Sequence, residues 1–428
     1  MKGKKLTALL LSVMLTATMM PVSMSVSAEE RTAESSAAFA GVSSEDKIYD
    51  SHSEETSPVA KSGDYGVGLK YSFHKNGNLY IYGSGEVMAF SFPEEITGKV
   101  NVIIENGVTK IGEYAFYGCT NIVSAKIPES VTSIELNAFQ GCTEMASVNL
   151  PSKLTSIESD VFDFCEKLEK IEIPQSVKTI KSEAFRNCTS LTEVIIPQNV
   201  TSIGNEAFAN CTSLTSITIP SRVTSLGDWA FSGCANLESV KIKGNIEKIG
   251  NLAFNDCVKL TNINIPKSVK SIGSQAFQNC KSLSSVNIPN GVESIGSMAF
   301  YKCSNLVSVY VPESVTKIED LAFYDCGKDF IMRGSNGSYA QTYAEEHNIT
   351  FIAAEEPKPA VKMGDLDDDG IITSADSLLI LRQSVALEKF TPEQIALCDV
   401  DGDGEVTSAD ALEVLRYSVG LSTTANIG

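Results

Sequence analysis

Two runs of aspartate near the C-terminal end have the types and spacing to hold a metal ion. Asp365, Asp367 and Asp369 form the first; Asp399, Asp401 and Asp403 form the second, 34 residues further on. Gly370 and Gly404 follow directly, then Thr373 and Thr407, then Asp376 and Asp410. Calcium is a hard cation that takes roughly six to eight oxygens. A loop of about twelve residues delivers them from positions 1, 3, 5, 7, 9 and 12, with glycine at 6 for the sharp turn. In that register the alternate aspartates fill the first three places. Ile371 and Glu405 give backbone carbonyls, so the Glu405 side chain is not counted. Thr373 and Thr407 offer a hydroxyl or hold a water, and Asp376 and Asp410 close the shell. Aspartate there is shorter than the usual glutamate. The pattern predicts two Ca2+ sites.

Such loops need helices to hold them. The first runs into Leu378, Leu379, Leu381 and Val385, the second into Leu412, Val414, Leu415 and Val419, both at helical spacing for an amphipathic face. Pro357 and Pro359 leave little room for a helix entering the first loop. Before the second, Thr391-Pro392-Glu393-Gln394 reads as N-cap, first helical proline and capping box, so a short joining helix is expected.

Loop then helix, twice, from Met363 to about Leu421, resembles a type I dockerin. The resemblance implies a small all-α, calcium-binding domain that docks onto a cohesin of a scaffoldin, as in cellulosomes. The family's recognition pair lies at loop positions 10 and 11, here Ser374-Ala375 and Ser408-Ala409, and Leu381-Arg382 is echoed by Leu415-Arg416. The two halves present nearly the same surface, so either helix is expected to dock. Calcium removal is expected to unfold residues 363–421.

Most of the chain is a different object. Ten cysteines, from Cys119 to Cys326, stand 23 residues apart without a single insertion. A fixed period of that size means stacked units, one rung per repeat. In the rung from Cys211, Ile217 and Ile219 alternate as a strand does and Pro220 ends it. Val223 and Leu226 make a second apolar pair, and Ala230-Phe231 closes the rung on a turn of helix. The proline recurs in eight of nine rungs, with Lys243 the exception, and the phenylalanine in all ten, from Phe116 to Phe323. A large ring stacked so often is a core spine. The cysteines read as a ladder of buried thiols, because parallel Cβ vectors suit the disulfide torsion badly; paired cysteines are the alternative.

These rungs, Val100 to Cys326, resemble leucine-rich repeats of the bacterial BspA-like type. The resemblance implies a curved α/β leucine-rich-repeat solenoid of short strands and short helical turns, in a secreted or surface setting, binding protein or glycan without catalysis. Leu69 to Phe73 and Leu79 to Tyr82 around Asn76-Gly77 predict a hairpin capping the first rung (63–99). Residues 327–353 predict a closing helix and last strand. The outward strand positions are mostly Ser, Asn, Thr, Lys and Glu, with Ile195 and Tyr310 as exceptions. They form either a face that tolerates water or a shallow binding surface. Trp229, the lone tryptophan, is either an exposed anchor or partly buried between rungs.

The formal charge of -19 excludes nucleic acid and anionic membrane surfaces as natural partners. Lys2, Lys4 and Lys5, the apolar run Leu6 to Met20 and Val26-Ser27-Ala28 predict a signal peptide (1–28); an uncleaved anchor is the alternative. A polar disordered spacer (29–62), the rungs (100–326), a Pro-rich linker (354–362) and the dockerin (363–428) complete the plan. No later segment is long and apolar enough to span a bilayer. Three histidines, none beside a cysteine, and isolated rung acids argue against an enzyme. The reading is a secreted, monomeric, non-catalytic cellulosome-type component. The runners-up are a free adhesin with a calcium-stabilised tail and a tethered hydrolase.

Overall fold

The computed structural model describes residues 57–354 apart from 66–67, 91–95 and 97, and, further on, 363–364, 366, 372–385, 390, 392–401, 405–418 and 421. Each rung supplies two short strands. In the rung from Cys211 these are Ser216–Ile219, alternating exposed and buried, and Ser225–Leu226. Each pairs in parallel with its counterpart 23 residues on: Ile217 lies beside Val240, and Thr218 beside Lys241. The same register joins Ser202 to Ser225 and Val240 to Ile263. A backbone that repeats in register satisfies its own amides rung by rung, so the solenoid needs closing only at its ends.

The N-terminal end is closed by β1 (Val59–Asp64), β2 (Leu69–His74) and β3 (Asn78–Gly83), antiparallel around the Asn76-Gly77 turn. β3 then pairs in parallel with Val100–Ile104, so the hairpin continues into the first rung. Strand β1 begins at Val59, inside the stretch expected as spacer; its pairing with β2 is what orders it. At the other end the strand Ile331–Gly334 precedes helix α1 (Tyr339–Glu346) and a last strand, Thr350–Ala353, paired in parallel with it.

The core between the strands and the outer turns is filled by repetition. Nine successive ring pairs from Phe116 to Phe323 stack at 5.1–5.8 Å with planes within 14°. The outer segment is a chain of tight turns: Ser232 N–H donates to Trp229 O and Cys234 N–H to Phe231 O, each three residues back. Two left-handed residues flank this stretch in each rung, as at Trp229 (φ 55°) and Gly233 (φ 74°). They keep the expected turn of helix from propagating. They also aim alternate amides at the next rung, where Trp229, Phe231 and Gly233 donate to Asn251, Ala253 and Asn255.

All eleven cysteines are free thiols. In nine rungs the Sγ sits 3.2–3.4 Å from the carbonyl oxygen of the phenylalanine 26 residues earlier. Phe208 O, for example, takes both the Cys211 N–H of its own rung and the Cys234 thiol of the next. The cysteine is thus a small buried donor that ties rungs together. Burial pushes Cys234 and Cys303 up to about 12, which keeps them protonated and unreactive.

Candidate calcium loops and docking face

The C-terminal residues form a second apolar cluster of Leu366, Ile372, Ile380, Cys398, Val400, Ala411 and Val414. Helices α2 (Ser374–Ser384), α3 (Pro392–Cys398) and α4 (Ser408–Ser418) carry it. The expected joining helix is α3. Helices α2 and α4 are tied by the Ser377 hydroxyl, which donates to Ala411 O at 2.6 Å, between equivalent positions of the two halves.

Asp365, Asp367, Asp369, Ile371 and Asp403 lie outside the described residues. What is described is the closing end of each loop. Thr373 caps α2: its Oγ1 accepts the Ala375 N–H at 3.1 Å, while Asp376 Oδ2 accepts the Thr373 N–H at 2.8 Å. Asp376 Oδ1 takes the Leu366 N–H at 2.8 Å, from the front of the loop. The second half repeats this. Asp410 accepts the Thr407 N–H at 2.8 Å on one oxygen and the Val400 N–H at 2.9 Å on the other. Ala409 N–H reaches Thr407 Oγ1 at 3.0 Å.

The closing aspartate is therefore more than a ligand candidate. It is the N3 residue of a capping box and a clamp across the loop. Sequence reasoning assigned only the metal role; the signal it missed is Thr-Ser-Ala-Asp, a capping box in its own right, ahead of an apolar run. Aspartate fits where glutamate would overreach these amides.

Asp399, Asp401 and Asp410 bring carboxylate oxygens within 4.8 Å of one another. Asp410 is fully buried, Asp399 half-buried and Asp401 exposed. Three carboxylates converging at the mouth of a loop form a hard, all-oxygen donor set, and they fit calcium. Beside them, Cys398 is buried, and burial followed by the charge of Asp410 raises its thiol to about 12.

The helix faces differ from the expected amphipathic pattern. Leu378 and Leu412 are each 54% exposed, and Leu381, Val385 and Leu415 also face solvent. The buried positions are Asp376, Ser377 and Ile380 on α2, and Asp410, Ala411 and Val414 on α4. The helices pack through their loop-closing acids and small residues, which leaves the leucines outward. Ser374, Ala375, Leu381 and Arg382 share one exposed side of α2, and Ser408, Ala409, Leu415 and Arg416 the corresponding side of α4.

The profile of the BspA type leucine rich repeat region matches residues 89–215 and 201–328, more than half of the chain. The chain belongs to the BspA type leucine rich repeat family. Its C-terminal part is a type I dockerin, matched over residues 363–417. No curated protein matches the chain. Among solved structures it is similar to a leucine rich cell surface protein of Faecalibacterium prausnitzii, with 25% identity, covering 66% of this chain and 97% of that one at a TM-score of 0.39. A leucine-rich repeat protein of Bacteroides ovatus shares 23% identity over 67% and 98% of the two chains, at a TM-score of 0.40. One of Eubacterium ventriosum shares 22% over 62% and 95%, at 0.37.

The dockerin implies a cohesin partner, and type I dockerins bind calcium. BspA type repeats form a binding body, and both domain types are typically non-catalytic and typical of extracellular or cell-surface proteins. Among the described residues no helix is long and apolar enough to cross a membrane.

Two rung features complete the survey. Asp160, Asp163 and Glu183 also approach one another closely. There the cation is already Arg186, whose Nε and Nη2 reach Asp163 at 3.1 and 2.8 Å and whose Nη1 contacts Glu183. On the strand face Tyr310, expected outward, is 8% exposed; its strand lies beside Arg333 of the closing segment, which covers the end of that face. Trp229 is 39% exposed, on the exposed rather than the buried side of the rung.

Proposed function

We propose that the chain is a secreted, non-catalytic component of a cellulosome-like complex, exported by the leader 1–28. Its dockerin holds two calcium ions and docks onto a scaffoldin cohesin, and its solenoid displays a binding surface for a protein or glycan in polysaccharide degradation or cell-surface attachment. One observation carries the reading best: the loop–helix half recurs 34 residues on, with the same clamp (Asp376, Asp410) and an equivalent exposed face on each helix. We assign Asp365, Asp367, Asp369, Ile371, Thr373 and Asp376 to one ion. Asp399, Asp401, Asp403, Glu405, Thr407 and Asp410 serve the other. These residues hold and orient the metal, and the metal in turn orders the loops so that either helix can dock.

The test is capture of the full chain on an immobilised type I cohesin with calcium and then with chelator. Retention in calcium and release in chelator support the reading. Calcium-independent retention, or none with any cohesin of the host, refutes it.

A further inference from the structure

A basic strip crosses three consecutive rungs of this acidic chain. Over residues 216–227, 239–250 and 262–273 the sequence places Arg222, Lys241, Lys243, Lys248, Lys267 and Lys270 against a single acid, Glu247. All six are exposed. The corresponding stretches on either side are mixed or acidic: 193–204 carries only Glu193, and 285–296 only Glu293.

The register brings these residues together. Lys241 lies between Thr218 and Asn264, and Lys248 lies beside Ser271. Lys270 N–H donates to Glu247 O of the preceding rung, and Lys243 N–H to Ile219 O. Neighbouring rungs are about 4.8 Å apart, so the strip is on the order of 10 Å wide along the solenoid. Lys248 also lies 3.8 Å from Asp228, an exposed pair of little energetic weight.

The strip coincides with a break in the repeat. Lys243 stands where the other rungs have proline. Gly244 follows, where an added Cβ would lie 2.4 Å from Val223 O. The glycine lets the backbone hug the previous rung while Lys243 projects outward. A solenoid that departs from its own pattern there, and gains a cation by doing so, has a surface use for that charge.

We propose that this strip binds an acidic polysaccharide, a sugar chain bearing carboxylates. Lysines held in a row meet the charges of such a chain. The exposed neighbours Thr218, Asn262 and Asn264 supply hydroxyl and amide groups for its hydroxyls. No exposed large apolar residue lies within the three stretches, so the strip lacks the anchors on which protein interfaces concentrate their affinity. It also lacks an aromatic platform for nucleic acid bases. The proposal rests on the repeats being the binding body and does not depend on the dockerin's partner.

The experiment measures binding of the full chain to polygalacturonate, neutral xylan and poly-glutamate, at low salt and at about 0.15 M, where the Debye length falls to about 8 Å. Polygalacturonate is expected to bind, more weakly at the higher salt, and xylan not to bind. Lys243→Glu with Lys270→Glu should lower the affinity about tenfold or more. Lys153→Glu with Lys178→Glu, at like positions of earlier rungs, should leave it within about twofold. Unchanged melting of both variants shows that the solenoid is intact, and Lys241→Gln with Lys267→Gln gives a milder second test. No polygalacturonate binding, equal loss in both charge-reversed variants, or poly-glutamate bound as tightly overturns the proposal. Cohesin capture measured on the same samples reports separately on the docking reading.

Discussion

Asp410→Ala and Asp401→Ala remove one carboxylate each from the same converging set, yet the structure predicts different defects. Asp410 accepts the Val400 and Thr407 amides at 2.9 and 2.8 Å and is fully buried, whereas Asp401 is exposed. Hydrogen bonds to a charged acceptor contribute about 1.5–3 kcal/mol each, so the clamp contributes about 3–6 kcal/mol. A domain the size of the matched 363–417 stretch has a total stability of roughly 3–8 kcal/mol, at about 0.05–0.15 kcal/mol per residue. Losing a ligand is a mass-action defect, recovered at about 1.4 kcal/mol for each tenfold rise in calcium. Losing the clamp is not, because the two amides stay unbonded at any calcium concentration. Thermal melts followed by the helical circular dichroism of the full chain, across a calcium titration, separate the two. Asp401→Ala should regain its midpoint at high calcium, and Asp410→Ala should stay lower by tens of degrees or fail to fold its loop. Full recovery of Asp410→Ala by calcium would refute the clamp.

In the dockerin, Ser408→Asp with Arg416→Glu should leave cohesin capture nearly intact, as should Ser374→Asp with Arg382→Glu, while all four together abolish it; loss with one half alone rules out docking by either helix. Phe231→Ala opens a cavity between rings stacked at 5.4 and 5.6 Å and should destabilise the solenoid by about 3–5 kcal/mol in denaturant melts; a loss below about 1 kcal/mol refutes the spine. Cys257→Val keeps the volume but leaves Phe231 O with only the Cys234 N–H, and should destabilise by about 1 kcal/mol; a neutral result removes the thiol bond from the account. Burial, then the charge of Asp160, raises Glu183 from 4.5 to about 7, so the folded state holds this proton more tightly than the unfolded one. Stability should therefore fall as pH rises across that window, and Glu183→Gln should flatten the slope; an unchanged slope counts against it.

The loops and the rungs were legible to different depths. The left-handed residue just before each cysteine leaves a compositional trace, as Gly118, Asn187, Asn210, Gly233 and Asp256 show. The other, at Tyr114, Glu183, Trp229, Leu252 and Met298, leaves none, because its conformation is held by the amide bond to the next rung and not by the residue's own preference. For the same reason a turn of helix was the natural reading of Ala230-Phe231. In the dockerin, helical spacing announced amphipathic helices but not which side is inward. Ile380 and Val414 are buried and Leu378 and Leu412 are not, because the loop-closing aspartates turn each helix to face its loop.

What the amino-acid order determined by itself is everything that depends on period and valence. The 23-residue repeat sets register, spine and thiol phase, and alternate aspartates with a glycine at the sixth position specify a hard-cation loop. Only the tertiary structure decided where each donor's hydrogen goes. It turned the cysteines from possible disulfides into thiols bonded to phenylalanine carbonyls, made the closing aspartates clamps as well as candidate ligands, and gathered six scattered cations into one strip. These are meetings between residues 10 to 30 apart, fixed by distances that no local pattern encodes.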